Sequence, residues 1–398
     1  MTFAPLKLKK DQERRLRAGH CWIYSNEIDT GATPLKGFEP GQPVDILSHQ
    51  DKWLGSGYVN PHSLICARLV SRDREHPLTG SLLVHRMKIA LSLRERLYPR
   101  PFYRLLFGES DGLPGLVVDR YGDICVVQIT TAGMERMKDA ILDALEKVVR
   151  PTSVIFRNDT AIREMEGLER YVEHVGAALG EQLAVEEHGF DFRVPALQGQ
   201  KTGWFFDQAY NRARMAPYVE GRRVLEVCSY VGAWGVQAAA RGAAEVLSVD
   251  VSRTALDAVE ANAALNGVSG RVQTVRGDAF DIMRGLRAER ERFDVLMVDP
   301  PAFIKRRKDI KEGTQAYRRI NQLALQLLSK DGILITSSCS HHMSRDSLLQ
   351  VVQQAARHTD RTVQLLEQGA QAPDHPVHPA IPETAYLKTF YLRALPSF

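Results

Sequence analysis

Leu225-Glu-Val-Cys228-Ser-Tyr-Val-Gly232-Ala-Trp-Gly235 is the stretch on which the reading of this chain turns. An apolar run carries Glu226 near its end, a turn of small and aromatic residues follows, and Gly232 introduces a helix-like segment, 233–241, that closes at Gly242. Strand, tight turn and helix in so few residues make the first half of a βαβ unit, and the helix start offers backbone N–H groups to a ligand. The full G-x-G-x-x-G fingerprint is absent, so the stretch is a weak signal by itself and argues against a nicotinamide dehydrogenase.

Downstream the same texture continues. Strand candidates at 224–228, 245–250, 272–276, 295–299 and 333–338 alternate with helices at 233–241, 254–266 and 317–329, the pattern of a parallel sheet. Two more strands, 362–367 and 385–392, flank a loop with Pro373, Pro376, Pro379 and Pro382, so the sheet should end in a hairpin. The expectation is an α/β, Rossmann-like domain with a seven-stranded sheet over residues 191–398.

Upstream the texture differs. In residues 1–75 the runs 44–47, 54–59 and 64–70 are separated by turn residues, which suggests a small β-barrel. Lys7, Lys9, Lys10, Arg14, Arg15 and Arg17 precede Trp22 and Tyr24, a mixture that suits RNA and suits a solvated turn beside core aromatics equally well. Residues 76–190 read as a separate α+β module, with helices near 82–97 and 134–149 and strands at 116–119 and 124–129. Its Ser110, Asp111 and Asp119 sit among turn residues and read as turn formers, not catalysts.

Composition bounds the rest. The 398 residues are 44% hydrophobic and 25% charged, an ordinary globular balance, and 52 basic against 48 acidic residues leave a net charge of +4. Any nucleic-acid role must therefore rest on local patches. The five cysteines (Cys21, Cys66, Cys125, Cys228, Cys339) include no C-x-x-C pair, which argues against a disulfide framework and fits a reducing cytoplasm. No run reaches the ~18 apolar residues of a membrane span.

In an open α/β sheet ligands bind beyond the carboxyl ends of the strands. Four ends are informative. Glu226 and Gly232 lie at the first, Asp250 at the second, where a carboxylate can bond a ribose diol or merely be solvated, and Asp278-Ala279 at the third, where an acid can face an adenine amine. As a set these residues resemble a class I S-adenosylmethionine-dependent methyltransferase. That resemblance implies S-adenosyl-L-methionine as cofactor, held by Glu226, Cys228, Ser229, Gly232, Asp250, Asp278 and Ala279.

The fourth strand ends in Asp299-Pro-Pro-Ala-Phe303 and the fifth in Ser338-Cys339-Ser340. In the strand order 3-2-1-4-5 these are neighbours ~4.8 Å apart, so Asp299 and Cys339 should face one crevice. A thiolate adding to carbon 6 of cytosine makes carbon 5 nucleophilic, and a carboxyl group can bond N3 and the exocyclic amine. A small buried filler is the alternative role for Cys339. Lys305, Arg306, Arg307, Lys308 and Lys311 form a basic loop after Asp-Pro-Pro, placed to meet phosphates or simply solvated. A zinc site from Cys339, His341, His342, His375 and His378 lacks the usual ligand spacing, so no metal is expected.

Over its full length the chain is similar to bacterial 23S rRNA cytosine-C5 methyltransferases with a PUA domain, a central EEHGF-type domain and a Rossmann-like catalytic domain. The marks are Gly19-His-Cys-Trp-Ile, Glu109-Ser-Asp-Gly-Leu-Pro-Gly-Leu-Val-Val-Asp119, Glu186-Glu-His-Gly-Phe190, Lys201-Thr-Gly-Trp-Phe-Phe-Asp-Gln208 with Asn211-Arg212, Cys228-Ser-Tyr-Val-Gly232, Asp299-Pro-Pro-Ala-Phe303 and Ser338-Cys339-Ser340-His-His-Met343. The resemblance implies 23S rRNA as partner, an RNA-binding barrel and Cys339 as nucleophile; a homodimer is left open. It assigns no base for the C5 proton, because Pro301 and Ala302 stand where many RNA cytosine-C5 methyltransferases carry a second cysteine. The competing readings are an amino methyltransferase, weakened by Ala302 before Phe303, and a non-catalytic RNA-binding assembly factor.

Overall fold

The computed structural model describes residues 3–197, 199 and 202–397; Lys201 of the quoted motif lies outside them. The chain forms two compact units, one of residues 3–183, 195–206 and 373–384, the other of 184–194, 207–372 and 385–397.

The second unit is built on β1 (Arg223–Val227), β2 (Glu245–Asp250), β3 (Val272–Arg276), β4 (Phe293–Val298), β5 (Leu328–Ser338), β6 (Arg361–Gly369) and β7 (Lys388–Pro396). They form one seven-stranded sheet in the order β3-β2-β1-β4-β5-β7-β6. β1 pairs in parallel with β2 and with β4, Val224 opposite both Val246 and Val295. β7 enters antiparallel between β5 and β6, which is the expected hairpin. Because helices cover both faces, β1 shows no polar alternation: Val224, Leu225 and Val227 are all buried.

The helices are α1 (Ala233–Ala240), α2 (Arg253–Leu265), α3 (Ala279–Ala288), α4 (Ile310–Leu327) and α5 (Arg345–Arg357). Ser252, Asp278 and Ser344 cap α2, α3 and α5 by accepting backbone N–H bonds, one of the strongest local reasons for a helix to start. α3 and α5 were not anticipated from sequence, and α4 starts seven residues earlier than the expected 317, so Lys311 lies on a helix and not in the basic loop.

Glu186-Glu-His-Gly-Phe190 forms a hairpin turn between strands Gln182–Glu187 and Phe190–Pro195. His188 and Gly189 both take positive φ (53° and 84°), the requirement of a two-residue primed turn. Residues 184–194 thus belong with the seven-stranded sheet, and the expected boundary at 190 falls inside this hairpin. Glu187 receives two bonds from Arg212, at 2.5 and 2.6 Å, and one from Gln237 at 2.8 Å. Arg212 is 1% exposed, so this is an ion pair withdrawn from water.

The first unit carries two five-stranded sheets. One takes the order Ala4–Lys7, Gln42–Leu47, Trp53–Val59, Ala67–Ser71, Trp22–Ile23 around a core of Leu6, Ile23, Val44, Ile46 and Leu69. The other takes the order Tyr171–Gly176, Ser153–Asn158, Ile124–Ile129, Leu116–Tyr121, Phe102–Phe107, with helices Gly80–Leu97 and Lys138–Val148 against it. Tyr58 of the first sheet is buried in the core of the second and donates to the Pro114 carbonyl at 2.7 Å. Asp111 binds the buried Arg94 at 2.8 and 2.7 Å and Asp119 binds Arg104 at 2.8 Å through both oxygens, which gives both carboxylates structural work.

Glu187→Ala should leave the Arg212 guanidinium buried without a counter-charge and cost ~3–5 kcal/mol. Urea unfolding of the full chain measures this, and a loss below ~1 kcal/mol would mean that the pair is not withdrawn from water.

Candidate active site

The turn after β1 is strained. Cys228 and Tyr230 hold positive φ (65° and 49°) without being glycine, and Gly232 follows at 81°. The Cys228 and Ser229 N–H groups both donate to the Val249 carbonyl, at 2.9 and 3.0 Å, so the turn hangs from the end of β2. Strain of this kind is concentrated at sites where backbone must be presented to a ligand. Among the described residues the buried Ser229 hydroxyl has no hydrogen-bond partner.

Around this turn stand the carboxylates. Glu226 accepts from the Trp234 N–H at 3.2 Å and from Ser248 Oγ at 2.7 Å; burial pushes its carboxyl up to about 7. The close approach of α1 makes Gly235 necessary, since a Cβ there would stand 2.3 Å from Glu226 Oε2. Asp250 accepts from the Tyr230 and Ser252 N–H groups, both at 2.9 Å. Asp278 Oδ1 accepts from the Phe280 and Asp281 N–H groups at 2.9 and 3.2 Å, and Ala279 opens α3. The Cys228 thiol is pushed up to about 12, first by burial and then by Asp250, Asp299, Asp278 and Glu226. That shared field shows the four carboxylates gathered around one turn.

Asp299 and Cys339, both half-buried, lie just past the ends of adjacent strands β4 and β5. Their loops are pinned together by Ser340, whose hydroxyl accepts from the Ile304 N–H at 3.1 Å and lies 2.8 Å from the Tyr317 hydroxyl. Asp299 is held by three side-chain bonds: Gln208 Nε2 donates to both its oxygens at 3.0 Å, and Trp234 Nε1 donates to Oδ2 at 3.2 Å. Asn211 Nδ2 fixes the Gln208 amide by donating to Oε1 at 2.7 Å. Burial pushes the Asp299 carboxyl up to about 6; Trp234 and Gln208 oppose that shift and Asp207 adds to it. Phe303 packs edge-on to Tyr317, with ring centroids 4.8 Å apart.

Sequence reasoning had placed Gln208 and Asn211 in a motif without a role and had given Trp234 none. A Gln and an Asn three residues apart, which fall on one face of a helical turn, were the available signal. Lys305, Arg306, Arg307 and Lys308 are all exposed, Arg306 bonding to Asp309. Several basic residues of 7–17 are engaged: Arg15 with Glu27 at 2.8 Å, Lys7 with Asp51 at 3.0 Å, and Arg14 with Asp11 at 3.2 Å. His375 bonds Asp374 at 2.8 Å in the first unit, whereas Cys339, His341 and His342 belong to the second.

A 3-2-1-4-5-7-6 sheet with these strand ends defines an S-adenosylmethionine-dependent methyltransferase, and the model of that family matches residues 168–393, with a PUA-like domain at 6–72. Two solved structures share the fold: a methyltransferase complexed with SAH (TM-score 0.83, 22% identity, 99% of this chain and 100% of that one), and a SAM-dependent methyltransferase from Streptococcus mutans (TM-score 0.81, 21% identity, 98% and 100%). Ribosomal RNA large subunit methyltransferase I of Klebsiella pneumoniae strain 342 is 38% identical over 99% of both chains, and that of Escherichia coli O9:H4 is 37% identical over 98% of this chain and 99% of its own. The chain belongs to the ribosomal RNA large subunit methyltransferase I family.

Glu226 yields a pH prediction. A carboxyl whose folded value is raised keeps its proton where the unfolded chain has already released one, so folding stability falls as pH rises from about 4.5 to about 7. Glu226→Gln cannot titrate. Its urea midpoint relative to the parent chain should therefore improve between about pH 5 and about pH 8; a pH-independent difference would refute the burial of this charge.

Proposed function

We propose that this enzyme transfers a methyl group from S-adenosyl-L-methionine to carbon 5 of a cytosine in 23S rRNA, through a covalent adduct with Cys339. The observation that carries the reading is the pair Asp299 and Cys339 at adjacent strand ends, their loops tied through Ser340 and standing beside the carboxylate-ringed turn. The cofactor would be held by Glu226, Cys228, Ser229, Gly232, Asp250, Asp278 and Ala279, with Asp250 on the ribose hydroxyls and Asp278 near the adenine amine. It supplies an electrophilic methyl group.

The protein's own groups do the rest. The Cys339 thiolate donates its electron pair to carbon 6, the C5=C6 pair moves to form C4=C5, and the C4=N3 pair moves onto N3, leaving carbon 5 enamine-like. Asp299, protonated, donates to N3 while its other oxygen accepts from the exocyclic amine; its raised value makes that acid available nearer neutrality than an ordinary aspartate. Gln208, Trp234 and Asn211 hold it in place. Once carbon 5 carries the methyl group, loss of its proton to a base and departure of sulfur restore the aromatic ring and the thiolate.

The organisation proposed is RNA binding by residues 1–75, a module without chemistry of its own at 76–190, and methyl transfer by 191–398, the hairpin across 190 lending Glu187 to the last. Lys305, Arg306, Arg307 and Lys308 contact phosphates. The enzyme acts in the cytoplasm; no helix among the described residues is long and apolar enough to cross a membrane. The homodimer left open by the sequence forms no part of this reading.

Replacing the four basic residues 305–308 by Gln should weaken RNA binding and reduce the dependence of log K on log salt by up to ~0.7 per phosphate contact, with cofactor affinity unchanged. An unaltered salt slope would remove this loop from the interface. RNA carrying 5-fluorocytosine at the target should accept the methyl group and then stall as an adduct that survives denaturing electrophoresis, because carbon 5 has no proton to lose. Cys339→Ala should abolish adduct and methylation together, while Cys228→Ala should still form the adduct. Full methylation by Cys339→Ala would overturn the mechanism in favour of an amino methyltransferase.

A further inference from the structure

β7 opens with a lysine where the strand is otherwise committed to the core. Lys388 is opposite Ser338 in the antiparallel β5–β7 ladder, one residue before Cys339, and it is 6% exposed. Its Nζ donates to the Ser340 carbonyl at 2.7 Å. The ammonium is thus fixed, by strand register and by one hydrogen bond, over the two residues that flank the nucleophile. An ammonium has three N–H donors. Among the described residues this is its one hydrogen bond, and no carboxylate pairs with it.

A buried cation without a counter-ion is costly, which makes its surroundings informative. Burial pulls Lys388 down to about 8; Cys339 acts in the opposite sense, and Arg345, at the start of α5, pulls it further down. Tyr317 of α4 also faces Cys339, but burial raises its phenol, so it stays neutral. His341 and His342 follow in the same turn as Cys339. Among the described residues, the group with acidic character set against the Lys388 ammonium is the thiol.

We propose that Lys388 is a positioning residue: its ammonium, anchored on the Ser340 carbonyl, is the counter-ion that holds the Cys339 side chain as a thiolate. This rests on the reading of Cys339 as nucleophile. In forming the ion pair the S–H bond breaks, its electron pair stays on sulfur and the proton passes to solvent. When sulfur bonds to carbon 6 the negative charge moves into the ring, and when sulfur departs the ammonium receives it again. The two unspent N–H donors are the means of doing so.

Alkylation of Cys339 by iodoacetamide, followed site by site by mass spectrometry as pH is varied, reads the thiolate without RNA and without turnover. Lys388→Met should move the alkylation midpoint upward by about one unit and slow alkylation near neutrality about tenfold, while Lys388→Arg, which keeps the charge, should stay close to the parent. An unmoved midpoint in Lys388→Met that still binds S-adenosyl-L-methionine in calorimetry would overturn the proposal. If Lys388→Met fails to fold, the partner is changed instead: in Cys339→Ser the Lys388 ammonium, followed by NMR after reductive ¹³C-methylation, should titrate lower than in the parent. An unchanged titration there overturns the proposal equally. The two readings fail separately: methylation by Cys339→Ala overturns the nucleophile, whereas an inactive Cys339→Ala with an unmoved Lys388→Met midpoint overturns Lys388 alone.

Discussion

The pairing of β1 with β2 on one side and β4 on the other is the constraint from which the ligand end of this enzyme follows. Val224, Leu225 and Val227 are each buried against both neighbours, and fully burying such side chains contributes ~1.5–3 kcal/mol apiece. A one-residue slip would carry the buried Glu226 away from the Ser248 hydroxyl and the Trp234 N–H and leave its carboxyl unsatisfied, so the register is firmly set. With it are set the heights of Glu226, Asp250 and Asp299 at three neighbouring strand ends. The chain reverses its direction of winding at β1, and the crevice this opens is where the strained turn 228–232 projects.

Within that frame, burial and hydrogen bonding pull the site's acids in opposite directions. Glu226 is removed from water to bind the α1 start and Ser248, and burial wins. Asp299 is raised by burial too, against the N–H bonds that Trp234 and Gln208 present to it. A carboxyl group balanced near neutrality can donate a proton in one step and carry charge in another, which an aspartate in open water cannot do at the same pH. Asn211 contributes by orienting the Gln208 amide, and the place of both residues on the helical segment after 206 depends in turn on the Glu187–Arg212 pair one residue further along.

Much of this was legible in the sequence, for identifiable reasons. The central parallel strands were readable because burial on both faces makes them largely apolar, as in 224–227 and 295–298, and strands 245–250 and 272–276 have the ends expected of them although the latter, at the sheet edge, is only partly buried. α3 was missed because its start signal, Asp278, is also a ligand candidate; one side chain does the capping and leaves its second oxygen for other work. α5 was missed because the polar run from Ser344 resembles a loop until Leu348, Val351, Val352 and Ala355 are seen to share a buried face. The candidate residues at 226, 250, 278 and 299 could be named because a fold rule places ligands at strand ends. Gln208, Trp234 and Lys388 could not, since their importance comes from long-range contacts that leave no local period. Asp111 and Asp119 read as turn formers, and the structure pairs them with the buried Arg94 and the half-buried Arg104.

The central claim is that carbon 5 of cytosine, and not a ring or exocyclic nitrogen, receives the methyl group. Single-turnover methylation of 23S rRNA carrying tritium at carbon 5 of its cytosines tests this most directly. The account predicts one tritium released to water for each methyl group incorporated, with release no faster than incorporation. Methyl incorporation without tritium release would contradict it.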